Sequence, residues 1–416
     1  MKKAFPDFSL LVKNRDFGFL YVGQFTSMFG GAITRVAIPF QIYLLTHSTL
    51  LVGLLSLCQL LPLLFTALIG GVIADQNSRK KLLIITEIII CTSLLLLAWN
   101  ANLTQPSVIA VFLLATISSA VNGLHRPALE GITQQVVKRE DYAAVGALRT
   151  FKMSITMIAG PALSGIIIAA WGITLTYLID FICLLASLLA LLMMRHIPKP
   201  ETKQRDSIVQ SIKTGCRFAF SRQALLGSYL VDFNAMLFAM PNALFPAIAV
   251  TFGGAKTLGM LYAAPAIGTL LVSTFSGWTR HIKRHGAAIA ISAGLWGLAI
   301  ILFGLSNHLY AALLFLMLAG GFDAVSMISR MVLWNEVIPK DLRGRLAGIE
   351  MLSYISGPRL GDAESGIVAS IFGITASIVS GGVLCVISVA ACCYYLPKFW
   401  HYRSTPATTE QTSATS

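Results

Sequence analysis

"GGVIADQNSRKKLLIIT", residues 70–86, crowds one acid and three bases into the seven positions from Asp75 to Lys81. On either side lies an apolar run, near 50–74 and near 82–100. Each is about as long as the 17 to 25 residues that cross a bilayer as a helix. A polar block this short between two such runs reads as a tight turn between membrane spans, with its bases held on one side of the bilayer.

The same pattern continues in both directions. Spans are expected near 18–45, 50–74, 82–100, 106–128, 143–170 and 172–194, then near 223–250, 257–279, 286–306, 308–331, 344–370 and 371–397. The connections "THST", "NANLTQP", "SNHL" and "FGIT" are too short to fold alone. Hydrocarbon leaves helices or closed barrels as the only spanning structures, and these runs lack the period-2 alternation of barrel strands. The chain of 416 residues is 56% hydrophobic and 12% charged, about half the charged share of a soluble domain. The fold class is therefore an all-α membrane protein of twelve transmembrane helices.

The formal net charge of +13 is placed as a topology signal, and no nucleic acid partner is expected. Basic residues of the termini and loops fall on one side of the twelve-span layout, and the opposite loops offer only Lys256. Both termini are then cytoplasmic in a multi-pass membrane protein. The first apolar run is span-length, so it reads as a membrane helix and not a removable signal. Seven cysteines, mostly inside spans and without paired metal spacing, read as small apolar fillers. No metal site or cofactor is expected.

Four units follow: a six-helix half over 1–194, a cytoplasmic linker over 195–222 with a surface helix near 207–220, a second six-helix half over 223–397, and a disordered cytoplasmic tail over 398–416. The halves echo each other about 200 residues apart. Pro39 corresponds to Pro246, Gly53 to Gly259, Gly71 to Gly277, "QVVKRED" (135–141) to "EVIPKD" (336–341), and Gly160-Pro161 to Gly357-Pro358. Parallel six-span repeats are the layout of a transporter with its substrate site between the halves. Neither a Walker A loop nor a local catalytic signature is present, so an enzyme is not expected and pumping must draw on an ion or substrate gradient.

The opening loop resembles the signature of the major facilitator superfamily: Gly71, Ala74, Asp75, Arg79 and Lys80 match, while Gln76 stands in place of an Arg and Ser78 in place of a Gly. The stretch "VAIPFQIYLLTHSTLLVGL" (36–54) leading into it is similar to the enterobactin-exporter branch, as are "GMLYAA" (259–264) and "GDA" (361–363). The resemblance implies alternating access between two pseudo-symmetric halves. It also implies a gate in which Gly71 and Asp75 face the start of the eleventh span near Arg343, while Arg79, beside Lys80, pairs with Glu130. A purely topological role for Lys80 and Lys81 stays open beside this one. "AGPALSG" (159–165) resembles a proton-antiporter motif through Gly160, Pro161 and Gly165; simple close packing is the other reading.

Ionisable side chains inside spans are costly and are normally paired or functional. Asp323, Asp232, Glu350 and Asp362 are the expected proton-coupling carboxylates. Arg35 and Arg359 are expected to line the cavity with Phe25 and Phe29, which suits an anionic, carboxylate-rich iron chelator. An internal Arg359–Asp362 bridge is the alternative, since the two are three apart on one helix. Arg149 and Lys152 are expected to snorkel to water, and direct pairing of Asp323 with Arg330, seven residues on, is not assumed.

The expected function is proton-coupled export of a siderophore or similar small organic molecule by a monomer embedded in the lipid bilayer. A multidrug or macrolide efflux pump, a siderophore importer, and a channel or non-transporting receptor are the alternatives.

Overall fold

The computed structural model describes residues 8–195, 208–339 and 342–404. Ten of its helices are long and apolar enough to cross a membrane. One of these, Tyr142–Met193, turns at Gly172, whose φ of 81° lies in the left-handed region, and so makes two passes. Arg343–Phe372 makes the remaining pass; its many charges keep it outside a purely apolar criterion. The helices are α1 (Arg15–Thr46), α2 (Thr49–Gln76), α3 (Arg79–Ala101), α4 (Val108–Val136), α5 (142–171) and α6 (173–193). The second half comprises α7 (Gln223–Phe238, resumed at Phe245–Phe252), α8 (Ala255–Thr274), α9 (His285–Gly304), α10 (Leu309–Val337), α11 (Arg343–Phe372) and α12 (Ile374–Tyr395).

Polar N-caps fix several starts. Ser48, Ser78 and Ser107 each accept a hydrogen bond from the backbone N–H three residues on, opening α2, α3 and α4. Ser78, the departure from the superfamily signature, thus earns its place as the cap of α3. Gly172 and Gly373, with φ of 81° and 91°, open α6 and α12 from the matching loops "WGIT" and "FGIT". Only glycine adopts that backbone without strain, so these two turns are a further internal repeat.

Three expectations need correction. The seventh span is not continuous: it breaks at Ala239–Pro241, where a proline both removes a donor and disfavours helix at the residue before it. The eighth ends at Thr274 and passes into a short 3₁₀ turn, Ser276–His281. Residues 398–404 are not a free tail, because Phe399 is fully buried against Gly227, and the Ser404 N–H donates to the Lys283 carbonyl. The linker falls largely outside the described residues, and the chain resumes at Ile208–Ser221, a helix resting on α7 and α11.

The halves meet chiefly along α2–α11 and α5–α8. Both seams are glycine crossings. A Cβ on Gly53 would lie 3.1 Å from the Gly366 Cα, and one on Gly259 would lie 3.1 Å from the Gly165 Cα. In the reverse sense the values are 2.9 Å and 2.9 Å. The two seams are thus related by the pseudo-twofold of the repeat. Toward the other end of these helices, Gly71, Gly146 and Gly348, and Gly277 in the turn after α8, have no described atom within 4 Å of an added Cβ. The described glycine crossings between the halves thus lie at the end of the short loops.

Candidate functional site

The loop from which the sequence was read is held within the first half. Arg79 donates from Nη1 to the Gly131 carbonyl of α4 at 3.0 Å, in a slot that a Cβ at Gly131 would fill. Lys80 donates to the Met194 carbonyl at 2.6 Å, satisfying the C-terminus of α6. The expected Arg79–Glu130 pair does not form: Glu130 is taken by Arg149 Nη2 at 2.8 Å, which approaches from the next helix. That pair is more than half exposed and contributes at most about 1 kcal/mol. Arg343 donates to the Asn335 carbonyl within the second half. The Asp75 side chain lies outside the described residues. Among the described contacts, Arg79, Lys80, Glu130 and Arg343 each have a partner within their own half.

The Gly-Pro motif sits at the short-loop end. Gly160 is packed on Ala32 of α1, and the Pro161 carbonyl is 2.7 Å from where a Gly259 Cβ would stand. Gly165 forms the crossing with Gly259. Ser164, which stands where the motif has glycine, is fully buried and donates to the Ile33 carbonyl at 2.9 Å. Its hydroxyl ties α5 to α1.

Arg359 and Asp362 of α11 do not bridge each other. Asp362 accepts from the Ser56 hydroxyl of α2 and from the Ala243 backbone N–H, each at 3.0 Å. The second bond caps the broken seventh span, whose other free groups are met by Trp296 donating to the Ala239 carbonyl and Tyr262 donating to the Asn242 carbonyl. Backbone that leaves the helix at membrane depth needs such partners. Arg359 turns the other way and donates to the Ser119 hydroxyl of α4 at 3.1 Å. Glu364, further along, keeps a buried Oε2 with no partner among the described residues.

Arg35 is exposed on α1 between buried neighbours, Thr34 and Val36. Asp180 of α6 is within electrostatic reach of it but not within ion-pair distance. Phe25 and Phe29 pack on each other with centroids 6.3 Å apart. The nearer, six residues from Arg35, is about 9 Å from it along the axis. Lys152 corrects its expectation: it is buried, donating to Gln24 Oε1 at 2.6 Å and lying over the Tyr21 ring. A long side chain finds a partner there before it reaches water.

Arg330 of α10 gathers the second half's carboxylates. It pairs with Asp232 of α7, and its Nη2 is 3.7 Å from Asp323 Oδ1, with Glu350 of α11 also bearing on it. The seven-residue gap to Asp323 is closed because helical side chains lean toward the N-terminus. The charge passed over in the sequence is Arg126 on α4. A span expected to end at 128 placed it near water, whereas the helix runs on to Val136. Pro127, usually a stop signal, lies within it.

A family model described as "Transmembrane secretion effector" matches residues 9–411. The chain is 27% identical over 399 residues to the enterobactin exporter EntS of Escherichia coli (strain K12), covering 96% of each chain. Among solved structures it resembles a bacterial homologue of the iron transporter ferroportin in the inward-facing state (TM-score 0.71, 14% identity, 93% of this chain and 99% of that one). It also resembles a bacterial homolog of the human lysosomal transporter Spinster (TM-score 0.71, 15% identity, 94% and 98%). These two likenesses concern the fold.

Proposed function

Because the chain belongs to the transmembrane secretion effector family, and is thus a multi-pass transporter of the major facilitator superfamily and not an enzyme, we propose that it exports a siderophore or a similar small organic molecule across the bacterial inner membrane. The observation that carries this reading is the resemblance to enterobactin exporters across 96% of both chains. The positive-inside placement of charge supports cytoplasmic termini. The glycine seams then lie toward the outer side, which suits a state that loads cargo from the cytoplasm.

Transport proceeds by alternating access. Cargo enters between the halves, the glycine seams at the short-loop end part, and the inner ends of α2 and α11 come together. Gly71 and Asp75 meet the N-terminal turn of α11 beside Arg343 in that second state, where a helix dipole favours a carboxylate. Protons drive the cycle through Asp232, Asp323 and Glu350, which share Arg330 among the described residues, with Asp362 at the closed seam. Three carboxylates around one guanidinium cannot all stay ionised at low expense, so one proton exchanges as the cleft opens and closes. The protein works as a monomer in the lipid bilayer.

The test is flux in proteoliposomes holding the full chain. A lumen made acid relative to the bath should drive enterobactin inward against its own gradient in exchange for protons, and an uncoupler should abolish this. Absence of gradient-driven, saturable flux of enterobactin and of other chelators would overturn the reading.

A further inference from the structure

We propose that Arg35, Arg126 and Arg359 form one polyanion site between the halves, which selects a cargo bearing two or more acidic groups of the carboxylate or catecholate kind. The proposal rests on the export reading for the word cargo alone. The three side chains come from α1, α4 and α11, and so from both halves. Each bears electrostatically on the others: Arg126 on Arg35 and on Arg359, and Arg35 on Arg359. Arg35 and Arg126 are exposed, and Arg359 is half-buried.

What sets the cluster apart is its lack of partners. Among the described residues, Arg35 and Arg126 make no hydrogen bond or ion pair, and Arg359 has the neutral Ser119 hydroxyl only. No described carboxylate lies within 4.0 Å of any of the three. Asp362, the nearest acid on the Arg359 helix, has an oxygen committed to each of Ser56 and Ala243. Counting Asp362 and Asp180 against the three arginines still leaves 3 − 2 = +1. Guanidinium does not shed its proton in proteins, so the mutual repulsion cannot be relieved by titration. It is relieved by an anion, and planar forks bind paired oxygens bidentately. Forks converging from three helices, on two bodies that move apart, favour a ligand with several acidic groups over a single small ion. Tyr354, exposed on α11, lies within electrostatic reach of Arg35.

Citrate is the probe, titrated calorimetrically into the purified full chain in nanodiscs at fixed ionic strength against chloride. Wild type should bind citrate, R126Q and R359Q should bind about tenfold more weakly, R126K, which keeps the charge but not the fork, should recover only part of the binding, and K256Q in an outer loop should match wild type. A melting scan of each variant without ligand separates lost binding from lost fold. Citrate that binds no better than chloride, or binding that R126Q leaves unchanged in a folded protein, would overturn the site. If the arginines govern citrate binding but cells export their chelator equally well without the gene, the export reading fails and the site stands. If export needs the gene while R126Q and R359Q transport as wild type, the site fails and export stands.

Discussion

Ser119 and Arg359 join the two halves through one hydroxyl, which accepts from the guanidinium at 3.1 Å and donates to the Gln59 carbonyl at 2.9 Å. A cation of α11 is thereby anchored on α4, with the hydroxyl itself aimed by α2. Ser119→Ala leaves Arg359 without its one described hydrogen-bond acceptor. The expected outcome is a KM for cargo raised a few-fold with kcat nearly unchanged, and a stability loss of about 1 kcal/mol. Flux kinetics and a melting curve read the two effects separately.

Asp362 has two jobs that two variants divide. Ser56→Ala removes only the bond between halves, whereas Asp362→Ala also strips the acceptor from the Ala243 N–H at the break in α7. Losing a hydrogen bond to a charged group is worth about 1.5–3 kcal/mol. Ser56→Ala should therefore shift the population about tenfold toward the state open at the opposite end, with melting little changed. Asp362→Ala should shift it and also melt lower. Spin-label distances across the short-loop end, paired with thermal scans, measure both.

The glycine seams give a sharper geometric prediction. A Cβ at Gly366 would stand 2.7 Å from the Thr49 carbonyl, and one at Gly259 would stand 2.7 Å from the Pro161 carbonyl. Backbone atoms cannot give way as a flexible side chain does, so Gly366→Ala and Gly259→Ala should each hold that end apart and slow transport at least tenfold. Because the seams are pseudo-symmetric, the two variants should act alike. Gly348→Ala, with open space around it, should leave the short-loop end closed in the same distance measurement.

Among the described residues, Arg330 is the guanidinium shared by Asp232 and Asp323. Arg330→Met strands the largely buried Asp232 carboxylate, and breaking a buried pair typically costs about 3–5 kcal/mol. The melting temperature should fall by several degrees, and Asp232→Asn in the same chain should restore part of it. If these acids carry the proton, Asp323→Asn should retain cargo exchange and lose its dependence on the pH gradient.

Helix number, the division into halves and the superfamily signature were legible because each rests on local pattern: span-length apolar runs, loop charge and turn glycines. The break in α7 was not, since Pro241 sits in a run whose hydropathy never drops, and its tolerance depends on Trp296, Tyr262 and Asp362 from other helices. The tail at 398–404 was misjudged for a related reason, as Phe399 is held by a slot over Gly227 that no local pattern reports. Within the site, Arg35, Arg359, Asp232, Asp323 and Asp362 stood out as charges inside spans. Their partners did not, because partner choice is tertiary: Asp362 prefers Ser56 to Arg359, and Glu130 prefers Arg149 to Arg79. Arg126 escaped notice because the span was expected to end at 128, two residues beyond it, whereas the helix runs on to Val136.

The most direct test of export compares iron-starved, siderophore-producing cells with and without the gene, measuring chelator inside and outside at equal total synthesis. Export requires that loss of the gene lower the extracellular share and raise the intracellular one, with the wild-type gene restoring both and the Gly366→Ala gene restoring neither. An unchanged ratio, or chelator retained outside when the gene is lost, would contradict it.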